Sequence, residues 1–402
     1  MTQIVETAPS NTRWQEHTLI AGVSLAHFVS HFYMVLVPPL LVFIREDYQV
    51  SYTELGLALT LFALVSTIFQ TPVGFFVDRT GARRNLIVGL ILGGAAVIAA
   101  GLIDSYWFFL GMFALLGLAN TVYHPADYSM LAHHVAPERI GQAFSVHTFA
   151  GLLGTAVAPP VLLILHAYVG WRGAFVAAGI LGFIGAAILM LQRDPPGHHA
   201  AKPKADAKPA GWSLLLSAPI LLNLLAYTLF AVCMGGLNTY LVPALNVLHQ
   251  IPLPTGNLAL TALLFASAGG VLLGGVVLGY THSHVVVAAA SLSVVAVAVA
   301  LVGMADLGAV AVIALLSISG LSIGVMSPSR DMIVRDVTPP GSFGAVFGFV
   351  TNGFTVAGMV SPLLFGIFMD HGHPAWIFIT VAIASLACIV ATVAAGRYKI
   401  AR

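Results

Sequence analysis

A few ionisable side chains stand inside stretches of this chain that are otherwise apolar, and they define the chemistry open to it. His27 and His31 are four residues apart, so on a helix they share one face. His124 and Asp127 are three apart and share another, and His147 lies further along. Imidazole titrates near neutral pH, so this set can take up a proton, hydrogen-bond a polar or anionic substrate, or ligate a transition metal. Arg330 can offer two parallel bonds to a carboxylate or phosphate, or else stand at the rim of the membrane, where it would bind a gate. Its neighbour Asp331 is expected to point elsewhere, because adjacent residues diverge on a helix. Tyr227, Asn238 and Asn352 add a hydroxyl and two amides that suit substrate hydrogen bonds or helix–helix contacts. Together these nine residues, from His27 to Asn352 and without Asp331, are the candidate substrate- or proton-binding set.

A metal pathway would draw on His27, His31, His124 and Asp127 with the soft pair Cys233 and Met234. The chain has no repeated Cys or Met spacing to support it, so no dedicated metal site is expected. No Walker-type glycine loop and no His-Glu-x-x-His pattern occurs. The expectation is a protein that is not an enzyme and carries no cofactor.

The elements that hold these residues follow from composition. Of 402 residues, 59% are hydrophobic and only 8% charged, and the mean hydropathy is +0.96. A water-facing surface needs roughly 25% charge, so this chain belongs in a bilayer, where ionisable groups face a partner or a polar opening. The formal charge of +1 gives no basic patch and excludes nucleic acid as a partner. Apolar runs of span length recur twelve times, at 17–44, 52–77, 85–104, 106–135, 138–166, 171–192, 213–246, 255–281, 284–305, 308–337, 342–370 and 373–396. The segment 193–212, with Pro195-Pro196-Gly197 and an Ala/Lys/Pro-rich tail, reads as a linker. It divides the chain into six-helix halves, 1–192 and 213–402.

A repeat supports that division: Gly141-x-x-Phe144 with Pro159 recurs as Gly344-x-x-Phe347 with Pro362, 203 residues on. With both termini in the cytoplasm, Arg13, Arg79, Arg83, Arg84, Arg139, Arg193, the linker lysines, Arg335 and Arg397 lie inside, and only Arg45 and Arg172 outside.

The charged turn Gly74-Phe75-Phe76-Val77-Asp78-Arg79-Thr80-Gly81-Ala82-Arg83-Arg84 lies between the second and third runs. Its spacing resembles the loop between helices 2 and 3 of the major facilitator superfamily. That resemblance implies an all-α membrane protein of twelve transmembrane helices in two pseudo-symmetric bundles, working by alternating access. It gives Gly74, Asp78, Arg79, Gly81, Arg83 and Arg84 a gating role. In particular, Asp78 is implied to meet the start of the eleventh helix, near Gly341–Gly344.

A narrower resemblance is to the fosmidomycin-resistance branch of bacterial efflux pumps. It rests on His27, on Tyr123-His124-Pro125 and on Gly141-Gln142-Ala143-Phe144-Ser145. Gly151-x-x-Gly154 with Pro159-Pro160 is a partial copy of the signature of drug–proton exchangers. The expectation is a monomeric inner-membrane carrier of a bacterium, exporting a small organic compound with a proton as the coupling ion. Proton-driven uptake of an organic acid, passage of a transition metal and a non-transporting sensor are the alternatives.

Overall fold

The computed structural model describes residues 10–136, 139–192, 212–281, 283–339 and 343–398; within them the side chains of Asp78 and of residues 10–12, 71, 75, 132, 140–142, 212, 278, 279 and 343–345 lie outside the description. The linker 193–211 and the segment 340–342 also lie outside it, and with them the implied contact of Asp78 near Gly341–Gly344.

The first bundle contains α1 (Ser10–Met34), a 3-10 turn at Pro38–Leu40, α2 (Leu41–Tyr48), α3 (Tyr52–Thr80), α4 (Ala82–Leu102), α5 (Tyr106–Asn120), α6 (Tyr123–His134) and α7 (Ile140–Leu191). The second contains α8 (Trp212–Leu215), α9 (Ala218–His249), α10 (Leu253–Tyr280), α11 (His284–Met304), α12 (Ala309–Asp336), α13 (Phe343–Asp370) and α14 (Ala375–Ala395). Among the described residues, 11 stretches are long and apolar enough to cross a membrane. One of them, α7, is two spans joined at Gly170, whose φ of 70° interrupts the helix, so the fold has twelve spans. The chain is an all-α membrane protein of two six-helix bundles.

Three local breaks matter for function. Pro38 and Pro39 end α1 and start the short 3-10 turn. Gly81, at φ 95°, turns the chain sharply between α3 and α4 in a region that L side chains avoid. The run expected as one helix over 106–135 is two helices, α5 and α6, with a turn at Thr121–Val122. The cause is Pro125: it has no N–H to give the Thr121 carbonyl, and its ring would clash with that group in a continuous helix. In the first turn of α6 the missing N–H costs nothing.

The bundles meet at the end of the molecule opposite the chain termini. Ser51 caps α3 and completes a capping box with Glu54. The next two amides, of Tyr52 and Thr53, donate to the Asp370 carboxylate at the far end of α13, at 2.7 and 2.8 Å. Tyr240 donates to the carbonyls of Pro362 (2.6 Å) and Tyr52 (3.3 Å), and Thr60 to that of Met359 (3.1 Å). Towards the termini the neighbourhood changes: a Cβ on Gly74 would meet only Pro125 of its own bundle, at 3.9 Å.

Candidate functional site

The broken helix delivers its residues to one place. α6 starts at Tyr123, so His124 sits in its first turn and Asp127 one turn on, while α1 brings His27 and His31 and α7 brings His147. The rings of His27 and His147 stack at 3.9 Å between centroids, and His27 lies 4.5 Å from His31 and 5.3 Å from His124. Asp127, fully buried, places Oδ2 3.5 Å from Nδ1 of His27 and 3.8 Å from Nε2 of His147. All five predicted residues therefore converge.

The helix seam explains how rings fit there. A Cβ on Gly151 would lie 2.6 Å from the His27 ring and 3.1 Å from that of His31, and one on Gly154 would lie 2.3 Å from the Phe28 carbonyl oxygen. The Gly151-x-x-Gly154 pattern thus lets α7 close on α1 with the imidazoles in between.

His31 is partnered by the Thr155 hydroxyl at 3.2 Å. By contrast, Nδ1 of His27, both nitrogens of His147 and both oxygens of Asp127 are buried without a hydrogen-bond partner. An unpaired buried polar group costs about 1–3 kcal/mol, so the cluster retains several such costs side by side. His124 differs from its neighbours in being exposed.

The second bundle presents a different surface. Arg330 lies within a cage of three rings, its Cζ 4.3 Å from the centroid of Tyr227, 5.0 Å from Phe230 and 5.3 Å from Phe354. Its Nε and Nη2 both donate to Oδ1 of Asp331, at 3.1 and 3.0 Å. This corrects the expectation that Arg330 and Asp331 diverge. The Tyr227 hydroxyl donates to the same oxygen at 2.6 Å, and the cage holds the guanidinium folded back on its own helix. Guanidinium has five N–H donors, and Asp331 takes two through Nε and Nη2.

Tyr227 is buried and gives its hydroxyl hydrogen to Asp331. Asp331 was missed by the sequence reading, as was Tyr128, whose ring stacks on His124 at 6.1 Å. Tyr128 is exposed and the Asp331 carboxylate half-exposed, one in each bundle, and the two are close enough to interact electrostatically. Asn352 is exposed on α13, and the Asn238 side-chain oxygen is buried without a partner.

The gating residues divide. Arg79, Gly81 and Arg84 are exposed. Arg83 instead donates from Nη1 to the carbonyls of Leu189 (2.5 Å) and Gln192 (2.9 Å), capping the end of α7 within its own bundle. Cys233 does not join the histidines: it is buried against Val381 and Ser385 of α14, at 3.5 Å from each.

A shift of 203 residues, the offset of the Gly/Phe/Pro repeat, carries His27 onto Phe230, Asp127 onto Arg330 and Gly151 onto Phe354. In the register of that repeat, the acid with its imidazoles in the first half corresponds to the base with its aromatic rings in the second.

The family model described as Major Facilitator Superfamily matches residues 23–329. The chain belongs to this superfamily. It is a membrane transporter and not an enzyme. Similar relatives include the "Probable sulfoacetate transporter" of Cupriavidus necator, 26% identical over 380 residues and covering 88% of this chain and 87% of that protein. The "Fosmidomycin resistance protein" of Escherichia coli strain K12 is 24% identical over 265 residues, 64% of either chain. The "Probable L-galactonate transporter" of the same strain is 29% identical over 152 residues, 38% of this chain, which spans only 34% of that relative. A solved bacterial homologue of the human lysosomal transporter Spinster has the same fold, with a TM-score of 0.79, 15% identity and 97% of each chain covered.

Proposed function

We propose that this superfamily member carries a small organic anion, a carboxylate or sulfonate, by alternating access. The observation that carries the reading is the caged Arg330: a guanidinium held in place by three rings and one carboxylate, with donors to spare, at the face where the bundles oppose each other. Arginine suits planar oxyanions because its fork matches their geometry. Relatives named as transporters of sulfoacetate and galactonate fit that ligand class.

The bonds from Tyr52 to Asp370 and from Tyr240 to the Tyr52 carbonyl, each crossing between the bundles, support a state closed at the end opposite the termini. The crowding of Arg and Lys at the termini end supports a cytoplasmic location for it. Both opposed surfaces come from one chain, so a monomer suffices. Alternating access is reversible, and the imposed gradient sets whether the anion enters or leaves.

The test is thermal stabilisation of detergent-purified protein by sugar acids, short sulfonates and their neutral counterparts. A ligand at 100 times its Kd adds about 2.7 kcal/mol of apparent stability. Stabilisation is expected from the anions alone, lost in Arg330→Gln and not restored in Arg330→Lys. Equal stabilisation by neutral compounds, or an undiminished effect in Arg330→Gln, would overturn the reading.

A further inference from the structure

The histidine cluster of the first bundle has a ligand chemistry of its own. Three imidazoles, of His27, His124 and His147, each offer a nitrogen, and the three atoms lie within 4.8 Å of one another. They come from three elements, α1, α6 and α7. Beside them Asp127 directs an unpaired carboxylate oxygen to within 4 Å of both His27 and His147. The nitrogens of His147, Nδ1 of His27 and the Asp127 oxygens lack hydrogen-bond partners although their side chains are at least nine-tenths buried.

We infer that His27, His124 and His147, with Asp127, form a binding site for one divalent transition-metal ion of the zinc class. Imidazole nitrogen is a borderline donor that suits zinc, cobalt(II) and nickel(II) rather than calcium or magnesium. Four-coordinate zinc holds its ligands at about 2.0–2.1 Å, which sets them about 3.4 Å apart. The three nitrogens, all within 4.8 Å of one another, must therefore draw together by at most about 1.4 Å, and His124, as the exposed member, is the least confined of them. Asp127 balances half of the ion's charge and orients the two buried rings, as carboxylates behind metal-bound histidines do. The ion has a way in: His124 is exposed beside Tyr128, and the half-exposed carboxylate of Asp331 stands opposite. Binding would satisfy the polar atoms that the fold leaves unpaired and would tie together the three elements that supply them.

The experiment uses full-length protein, purified in detergent without a histidine tag, stripped with a chelator and titrated with cobalt(II) while its visible absorption is followed. One ion per chain is expected, with the intense bands of tetrahedral cobalt, displaced by one equivalent of zinc. His27→Gln and His147→Gln should each weaken binding by about 100-fold or more, since loss of even an orienting partner costs 10–100-fold. His124→Gln changes an exposed side chain, so it keeps the test decisive if the buried variants fail to fold. The double variant His371→Gln/His373→Gln, at an exposed turn away from the cluster, should bind as the parent does. Absence of saturable binding, or unchanged affinity in His124→Gln, would overturn the assignment. No organic anion is present in the titration, so its outcome is independent of the role of Arg330.

Discussion

At the residue scale the site depends on what is missing from Gly151 as much as on what the histidines bring. A methyl group there would occupy the space of the His27 and His31 rings, at 2.6 and 3.1 Å. Gly151→Ala should therefore destabilise the protein by about 1–3 kcal/mol, the usual cost of overpacking. Gly348→Ala is the control: its Cβ would meet nothing within 4 Å, and alanine is the better helix former. Thermal unfolding of the two variants in detergent checks this, and equal melting temperatures would mean that the seam yields without cost. The sequence showed His27 and His31 on one face and His124 with Asp127 on another, because helical periodicity is local. It could not show that the faces converge, which depends on how the helices rotate against each other. The Arg330–Asp331 pair was misread for a related reason: the rule for adjacent residues is local, whereas the three rings and the Tyr227 hydroxyl that override it come from α9 and α13.

At the element scale, the twelve spans were legible because composition leaves the chain no other solvent than lipid and the breaks fall at Pro, Gly and charge. The division of the fourth span was present in the sequence as Pro125, yet a proline in a membrane helix produces either a kink or a full break. Here α5 stops at Asn120 and α6 starts at Tyr123 across two residues that keep right-handed helical torsions, a kink that puts His124 in an exposed first turn. Pro125→Ala would supply the N–H that a continuous helix requires and restore a bond to the Thr121 carbonyl, worth about 0.5–1.5 kcal/mol. The expected outcome is a protein at least as stable as the parent with reduced transport, since interrupted helices place their free ends at transport sites. Uptake into proteoliposomes and thermal unfolding, measured on the same preparations, separate the two effects. Greater stability with undiminished transport would show that the break serves folding alone.

At the scale of the whole molecule the proposed alternating access requires the bundles to part at the end opposite the termini, where Asp370, Tyr240 and Thr60 bridge them. Three donors at the start of α3 lack partners in their own helix. Ser51 accepts from the amide of Glu54, and Asp370, from the other bundle, accepts from Tyr52 and Thr53. A carboxylate at a helix N-terminus gains from both the charge-assisted bonds and the helix dipole, about 1–2 kcal/mol together. These bonds exist only while the bundles touch at this end, so their whole energy acts on the balance between states. Asp370→Asn keeps the shape, removes the charge and turns one acceptor into a donor. The population open at this end should rise by about 5–30-fold. Distance measurements between spin labels at Glu46 and His371, both exposed near the junction, read that population directly. The family resemblance gives Asp78 the mirror role at the opposite end, so Asp78→Asn should shift the balance the other way. If the two acids oppose each other on one equilibrium, the double variant returns towards the parental distribution. A double variant displaced as far as Asp370→Asn alone would show that Asp78 plays no part in that equilibrium.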